Sequence, residues 1–243
     1  MPVKASRTKL ERELKAAANA KRAVTMAAYF KTGKDEYGEG DIFLGIPTPV
    51  LRKIALRYSE LPLADIGKLL QSRIHERRAA ALEILVRQYE RGSAEQQIEI
   101  TAFYLRNTAG INNWDLVDAS APSILGEHLR TRPRSILRKL AKSKSLWERR
   151  IAMIATMRLV RSGDVEDALN IAELLLKDRH DLIHKAVGWV LREVGRKDRA
   201  RLLVFLETHY ERLPRTTLRY AIEHFPVERR KRMLAGSFRV LAD

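Results

Sequence analysis

One carboxylate stands at an unusual place. Asp118 lies four residues after Trp114, so on a helix the two side chains share a face. In three other segments of similar sequence, the residues at the register of Asp118 are Leu82, Ile154 and Trp189. Leu82 and Ile154 read as packing residues. Asp118 puts a charge on that partly apolar face, at a cost on the order of several kcal/mol unless the charge is paired or solvated. Two readings stay open at this point. Asp118 is a catalytic carboxylate in a groove, or it is the structural partner of a neighbouring Arg.

Other chemistries fail on residue type or spacing. The chain has no Cys, which removes cysteine nucleophiles, thiolate metal sites and disulfides together. His75–Glu76 begins no metalloprotease motif, because Ala79 stands where the second His belongs. His180 and His184 have the spacing to share a metal but lack a third ligand, and a capping or surface role suits them better. Gly38–Glu39–Gly40 has Phe43 where a dinucleotide fingerprint needs Gly. There is no phosphate-binding P-loop and no G-x-S-x-G elbow.

The elements that must position Asp118 are helices. Apolar residues recur at three- and four-residue spacing, as in Ala79, Leu82, Ile84, Leu85 and Ile171, Leu174, Leu175, with no sustained alternation. Breakers separate these segments at 33–41, 46–49, 61–62, 91–93, 132–133, 162–164, 213–214 and 225–226. Thr48 before Pro49 predicts a capped helix start, and Ser93 with Gln96 predicts a capping box. Glu76–Arg77–Arg78–Ala79–Ala80 and Glu148–Arg149–Arg150–Ile151–Ala152 are near copies, with Asn112–Asn113–Trp114 midway, and Lys185 and Arg215–Thr216 continue the series. A two-helix unit repeating about five times with a period of roughly 36 predicts an all-α fold, an α-solenoid of HEAT-like repeats with a concave basic cleft. The whole chain, 1–243, reads as one such domain. Registration puts Arg78, Trp114, Arg150 and Lys185 at one equivalent position. A cationic ladder there could track a phosphate backbone, where a passive reading makes it a solvated helix face.

Lys and Arg number 46 against 30 Asp and Glu, a net charge of +16 in 243 residues. That excess predicts attraction to a polyanion, nucleic acid first, with an anionic membrane surface or a passively basic surface as the rivals. No apolar run is long enough for a membrane span. Residues 1–25 read as one basic, Ala-rich helix without the apolar stretch of a secretory signal, and Glu11 and Glu13 argue against a transit peptide.

Four motifs then carry a resemblance. Asp41-Ile-Phe-Leu-Gly-Ile-Pro-Thr-Pro, Asn113-Trp-Asp-Leu-Val-Asp, Leu146-Trp-Glu-Arg-Arg-Ile-Ala and Lys185-Ala-Val-Gly-Trp-Val-Leu-Arg-Glu resemble the AlkD family of DNA alkylation repair proteins in order and spacing. The likeness spans Tyr29 to Phe225, residues 29–225, and includes all three tryptophans. It implies HEAT-like repeats and a monofunctional DNA glycosylase. Such an enzyme removes cationic N-alkylated purines, of the 7-methylguanine and 3-methyladenine type, from duplex DNA without base flipping. By the same resemblance Asp118 is the catalytic carboxylate, Trp114 and Trp189 lie against the lesion nucleotide, Arg150 contacts a backbone phosphate, and Tyr29 lines the cleft. No metal or organic cofactor is implied. A monomer in the cytoplasm, associated with the nucleoid, is the expectation. Two departures stand out: a long polar segment at Lys31–Asp41, and Asn113 where some relatives carry an aromatic residue. The rival readings are a non-catalytic HEAT-like DNA-binding module and an RNA-binding or scaffold solenoid.

Overall fold

The computed structural model describes residues 6–238. Helices joined by turns account for the described residues, with no strand among them and one isolated bridge, Ile42 to Ile74. The chain divides into two compact units, 1–124 and 125–243.

The first unit contains α1 (Arg7–Ala16), α2 (Ala20–Tyr29), α3 (Thr48–Ala55), α4 (Leu63–Leu70), α5 (His75–Arg91), α6 (Ala94–Arg106) and α7 (Trp114–Ser120). Helix α5 is its centre, with α3, α4, α6 and α7 packed on it. Ala80, Ala81, Leu82, Ile84 and Leu85 of α5 are buried, each large one contributing roughly 1.5–3 kcal/mol. The capping box at Ser93 and Gln96 forms as the sequence predicts. Helix α3 does begin at Thr48, but Pro47 is the residue before the first turn and no side chain caps it.

The expected single helix over 1–25 is two helices, and residues 1–5 lie outside the described residues. The break at Ala17–Asn19 has a tertiary cause. The Asn19 backbone N–H donates to the Leu44 carbonyl at 2.8 Å, and the Asn19 side chain caps α2 by accepting from the Arg22 N–H. The Asp41–Pro47 segment thereby lies close against the start of α2. Gly45 sits at φ +79°, and a Cβ there would fall 2.3 Å from the Asn19 carbonyl oxygen, so no other residue fits. Glu76, buried in the first turn of α5, fixes the same segment. Its carboxylate accepts from the backbone N–H groups of Leu44, Gly45 and Ile46 at 2.8, 2.8 and 3.2 Å.

The second unit contains α8 (Ser135–Ala141), α9 (Leu146–Arg161), α10 (Glu166–Leu175), α11 (Asp181–Lys197), α12 (Arg199–His209), α13 (Arg215–Ala221) and α14 (Val227–Leu234). Helix α9 packs against α8, α10 and α11, and α11 against α12 and α13. Residues 151–157 of α9 are all buried, the mark of a helix surrounded on every side. Gly188 lets α11 and α13 approach closely. A Cβ on it would meet Tyr220 Cβ at 2.5 Å and the Thr217 carbonyl oxygen at 2.7 Å. The repeated segments of the sequence each fall at a helix start: α5, α7, α9, α11 and α13 begin at His75, Trp114, Leu146, Asp181 and Arg215.

Two stability changes follow. Gly188→Ala gains helix propensity of about 1 kcal/mol but forces two backbones apart, so a net loss of roughly 1–2 kcal/mol and a lower Tm are expected in thermal unfolding. Glu76→Gln replaces a charged acceptor of three backbone donors, and denaturant unfolding should show a loss of about 2–3 kcal/mol.

Candidate functional site

The predicted site residues fall in both units, and each set is described within its own. In the first, α7 is a short helix whose first turn is unusually well held. Asn113, fully buried, precedes it and accepts from the Trp114 backbone N–H at 2.8 Å. Asp115 follows, its charge favourably placed at the helix N-terminus. Trp114 stacks on Phe30, with ring centres 5.2 Å apart and planes 17° apart, and meets Tyr29 edge-on at 6.0 Å. Tyr29 is 65% exposed, a large aromatic turned to solvent at the end of α2. The structure thus brings together two rings that lie far apart in sequence, and Asp118 follows one turn after Trp114.

Asp118 is half-buried. The residues at its register in α5 and α9, Leu82 and Ile154, are packed in the core as the repeat logic expects. The charge of Asp118 reaches the interior. The buried Tyr104 phenol is pushed up, first by burial and further by the negative charge of Asp118, against the Ser120 hydrogen bond that pulls it down. That hydrogen bond joins α6 to the last turn of α7, Tyr104 Oη to Ser120 Oγ at 3.0 Å.

Arg78 is not where a phosphate-tracking ladder requires it. Its side chain is 3% exposed, and its guanidinium donates to Asp41 Oδ2 at 2.7 Å and to the Ser72 carbonyl at 2.7 Å. The ladder of solvent-facing cations is therefore corrected. At the four registered positions, Arg78 and Arg150 are buried, Trp114 is half-buried, and Lys185 pairs with Asp181 one turn earlier at 2.6 Å. A guanidinium at this register reaches across to the neighbouring segment, because the side chain points into the helix packing.

Around Arg78 lies a cluster that sequence reasoning missed. Asp41 Oδ2 faces three donors: Arg78, His75 Nδ1 at 3.3 Å and the Asn113 side-chain amide at 3.5 Å. His75 Nε2 lies 2.8 Å from Asp115 Oδ2. The imidazole packs against Phe43, at 4.5 Å, and Phe30, at 5.2 Å, which also stack on each other. Burial works to raise the Asp41 pKa, but the His75 hydrogen bond and the Arg78 charge outweigh it and hold the carboxyl below its ordinary range. Burial works to lower the His75 pKa, and the hydrogen bonds to Asp115 and Asp41 turn the balance upward. Both aspartates stand inside the motifs that carry the family resemblance, and that was the available signal.

A groove of about 910 Å³ opens in this unit beside the cluster, lined among others by Met26, Tyr29, Leu51, His75, Trp114 and Asp115.

In the second unit, Arg150 of α9 is 4% exposed and donates to the Leu182 carbonyl in the first turn of α11 at 2.5 Å. Trp189 of α11 is half-buried and follows Gly188, the point of close approach to α13. His180 caps α11, its Nδ1 accepting from the Leu182 N–H, which is the capping role read for it from sequence. Among the described residues no group of three His, Asp or Glu side chains could hold a metal ion, and no helix is long and apolar enough to cross a membrane.

The sequence model of a family described as DNA alkylation repair enzyme matches residues 10–225. No curated protein sequence matches the chain. A solved structure described as a predicted DNA alkylation repair enzyme from Enterococcus faecalis is similar in fold, with a TM-score of 0.69 at 19% identity over 86% of this chain and 97% of that one. The family match runs through every helix that carries a predicted site residue, from Tyr29 on α2 to Trp189 on α11, and the chain belongs to the DNA alkylation repair enzyme family.

Proposed function

We propose that the protein is a monofunctional DNA glycosylase that hydrolyses the N-glycosidic bond of cationic N-alkylated purines in duplex DNA, with the base left unflipped. The observation that carries the reading is the pairing on α7 of Trp114 with a half-buried carboxylate one turn on, at a register where the neighbouring repeats bury Leu82 and Ile154. A charge at a packing position needs a partner or a use, and the reading adopted for Asp118 is the catalytic one.

The chemistry suits such a pair. A purine made cationic by alkylation departs as a neutral base, so its departure needs little acid assistance. As the bond between C1′ and the base nitrogen breaks, its electron pair leaves with the base and positive charge builds on the deoxyribose. Asp118 stabilises that oxocarbenium-like sugar and orients the water whose oxygen bonds to C1′, while the water's proton passes to the carboxylate or to solvent. The indole faces of Trp114 and Trp189 favour a cationic sugar edge through the ring quadrupole. Tyr29, exposed beside Trp114, extends the aromatic surface. Lys185 adds positive charge from α11, whereas Arg78 and Arg150 are both buried against protein partners, and the assignment of Arg150 to a backbone phosphate rests on the family resemblance alone. The net charge of +16 supports a polyanionic partner. The protein acts as a monomer and without a cofactor.

The test is base release from duplex DNA carrying 7-methylguanine, with EDTA present, wild type beside Asp118→Asn. Wild type should release base, and Asp118→Asn should be slower by roughly 100-fold or more while still binding the duplex. Lack of release by either protein, with duplex binding intact, would leave the non-catalytic DNA-binding module. Duplex binding should also weaken steeply with salt, by about 10³-fold or more between roughly 50 and 200 mM if six or more phosphates are neutralised. A shallow salt dependence would count against a DNA backbone partner.

A further inference from the structure

Resting on that reading, we propose that His75 is a positioning residue for the reaction. As an imidazolium it holds Asp41 and Asp115 at once, and so fixes the first turn of α7 that carries Trp114.

The geometry is a bridge between two elements. His75 opens α5, yet its two ring nitrogens face carboxylates from elsewhere: Asp41 at the start of the Asp41–Pro47 segment, and Asp115 on α7. The ring is 2% exposed, so water does not substitute for either partner. The two residues before Asp115 are engaged too. Asn113 caps α7 and reaches Asp41, and Trp114 stacks on Phe30, the same ring that covers His75. A shift of Asp115 would therefore carry Trp114 with it, and Asp118 lies one turn further on.

The charges facing His75 come from three elements. Asp41 belongs to the loop segment, Asp115 to α7, and Arg78 to α5 itself, with its guanidinium 3.4 Å from Nδ1. The adjacent Glu76 turns its carboxylate to the amides of Leu44–Ile46. Phe30 and Phe43 pack against the ring and bring no charge. With His75 protonated, two cations face two carboxylates. A neutral imidazole has one N–H and can donate to only one of them. The bridge from loop to α7 thus exists only in the protonated form.

The sign follows from the direction of the His75 shift. Its pKa is raised in the folded protein, so the stabilisation is complete below the ordinary value of about 6.5 and is lost as pH rises through the higher folded value. Asp41, held low, loses its share only in acid.

The experiment follows two signals across pH in wild type, His75→Gln and Asp115→Asn. One is the single-turnover rate of base release from duplex DNA carrying 7-methylguanine. The other is the NMR resonance of the Trp114 indole N–H, identified by its loss in Trp114→Phe. In wild type the indole resonance should move with a midpoint above about 6.5, and the rate should fall roughly ten-fold or more through the same midpoint. His75→Gln should abolish both transitions. Asp115→Asn should move both to lower pH, which keeps the idea testable if the Gln variant does not fold. Transitions that persist unchanged in His75→Gln, or an indole resonance that stays still in wild type, would overturn the inference. So would base release that is flat across the pH range of the indole transition. No release at any pH would refute the glycosylase reading instead, leaving the indole signal to decide whether His75 sets Trp114.

Discussion

A single buried oxygen, Asp41 Oδ2, organises the first unit. Arg78 and His75 converge on it from one helix, α5, and Asn113 from the residue that caps another, α7. A carboxylate out of water is costly unless its lone pairs are satisfied, and losing one partner of such a cluster typically costs about 3–5 kcal/mol. The arrangement is therefore nearly all-or-none. It fixes where the Asp41–Pro47 segment lies on α5 and where α7 starts, and these two placements determine the surroundings of Trp114. Glu76 reinforces the same segment from the next position of α5, through backbone amides instead of side chains. The resemblance motifs containing Asp41 and Asp115 are thus partly a description of this polar interior.

The two units solve the same packing problem with different emphasis. In each, one long helix is enclosed by its neighbours, α5 in the first and α9 in the second. In α9 the enclosure is complete over two turns, and only small and aliphatic side chains and one Thr occupy it. The guanidinium of Arg150 emerges from the start of that helix and ties it to α11. Where α11 meets α13, the absence of a side chain at Gly188 sets the distance, and Trp189 is held beside that contact. Position and rigidity of the candidate aromatic residues come from such contacts, made by residues with no chemistry of their own.

The excess positive charge has two fates. Some of it, at Arg78 and Arg150, is spent inside on carboxylate or carbonyl partners. Much of the rest lies on exposed helix faces in pairs that contribute little to stability individually, such as Arg52 with Glu83 and Lys231 with Glu228. Counting cations at a repeated register therefore says little about which of them meet a polyanion. The environment of each decides.

The sequence by itself determined the helical class, the repeat and the helix starts at its repeated segments, and it pointed to the motif residues on α2, α7, α9 and α11. Those depend on local periodicity and on side chains three or four positions apart, which short-range rules capture. Asp118 was legible because a repeat supplies its own control: three sister positions carry no carboxylate. Only the tertiary structure decided that Arg78 is interior, that the N-terminal helix breaks at Asn19, and that His75 joins two aspartates. Each of these rests on a polar contact between groups distant in the chain, His75 with partners 34 and 40 residues away, and Asn19 with Leu44. Burial turns such contacts from weak surface pairs into constraints, and burial is a property of the packed helices that no window of sequence contains.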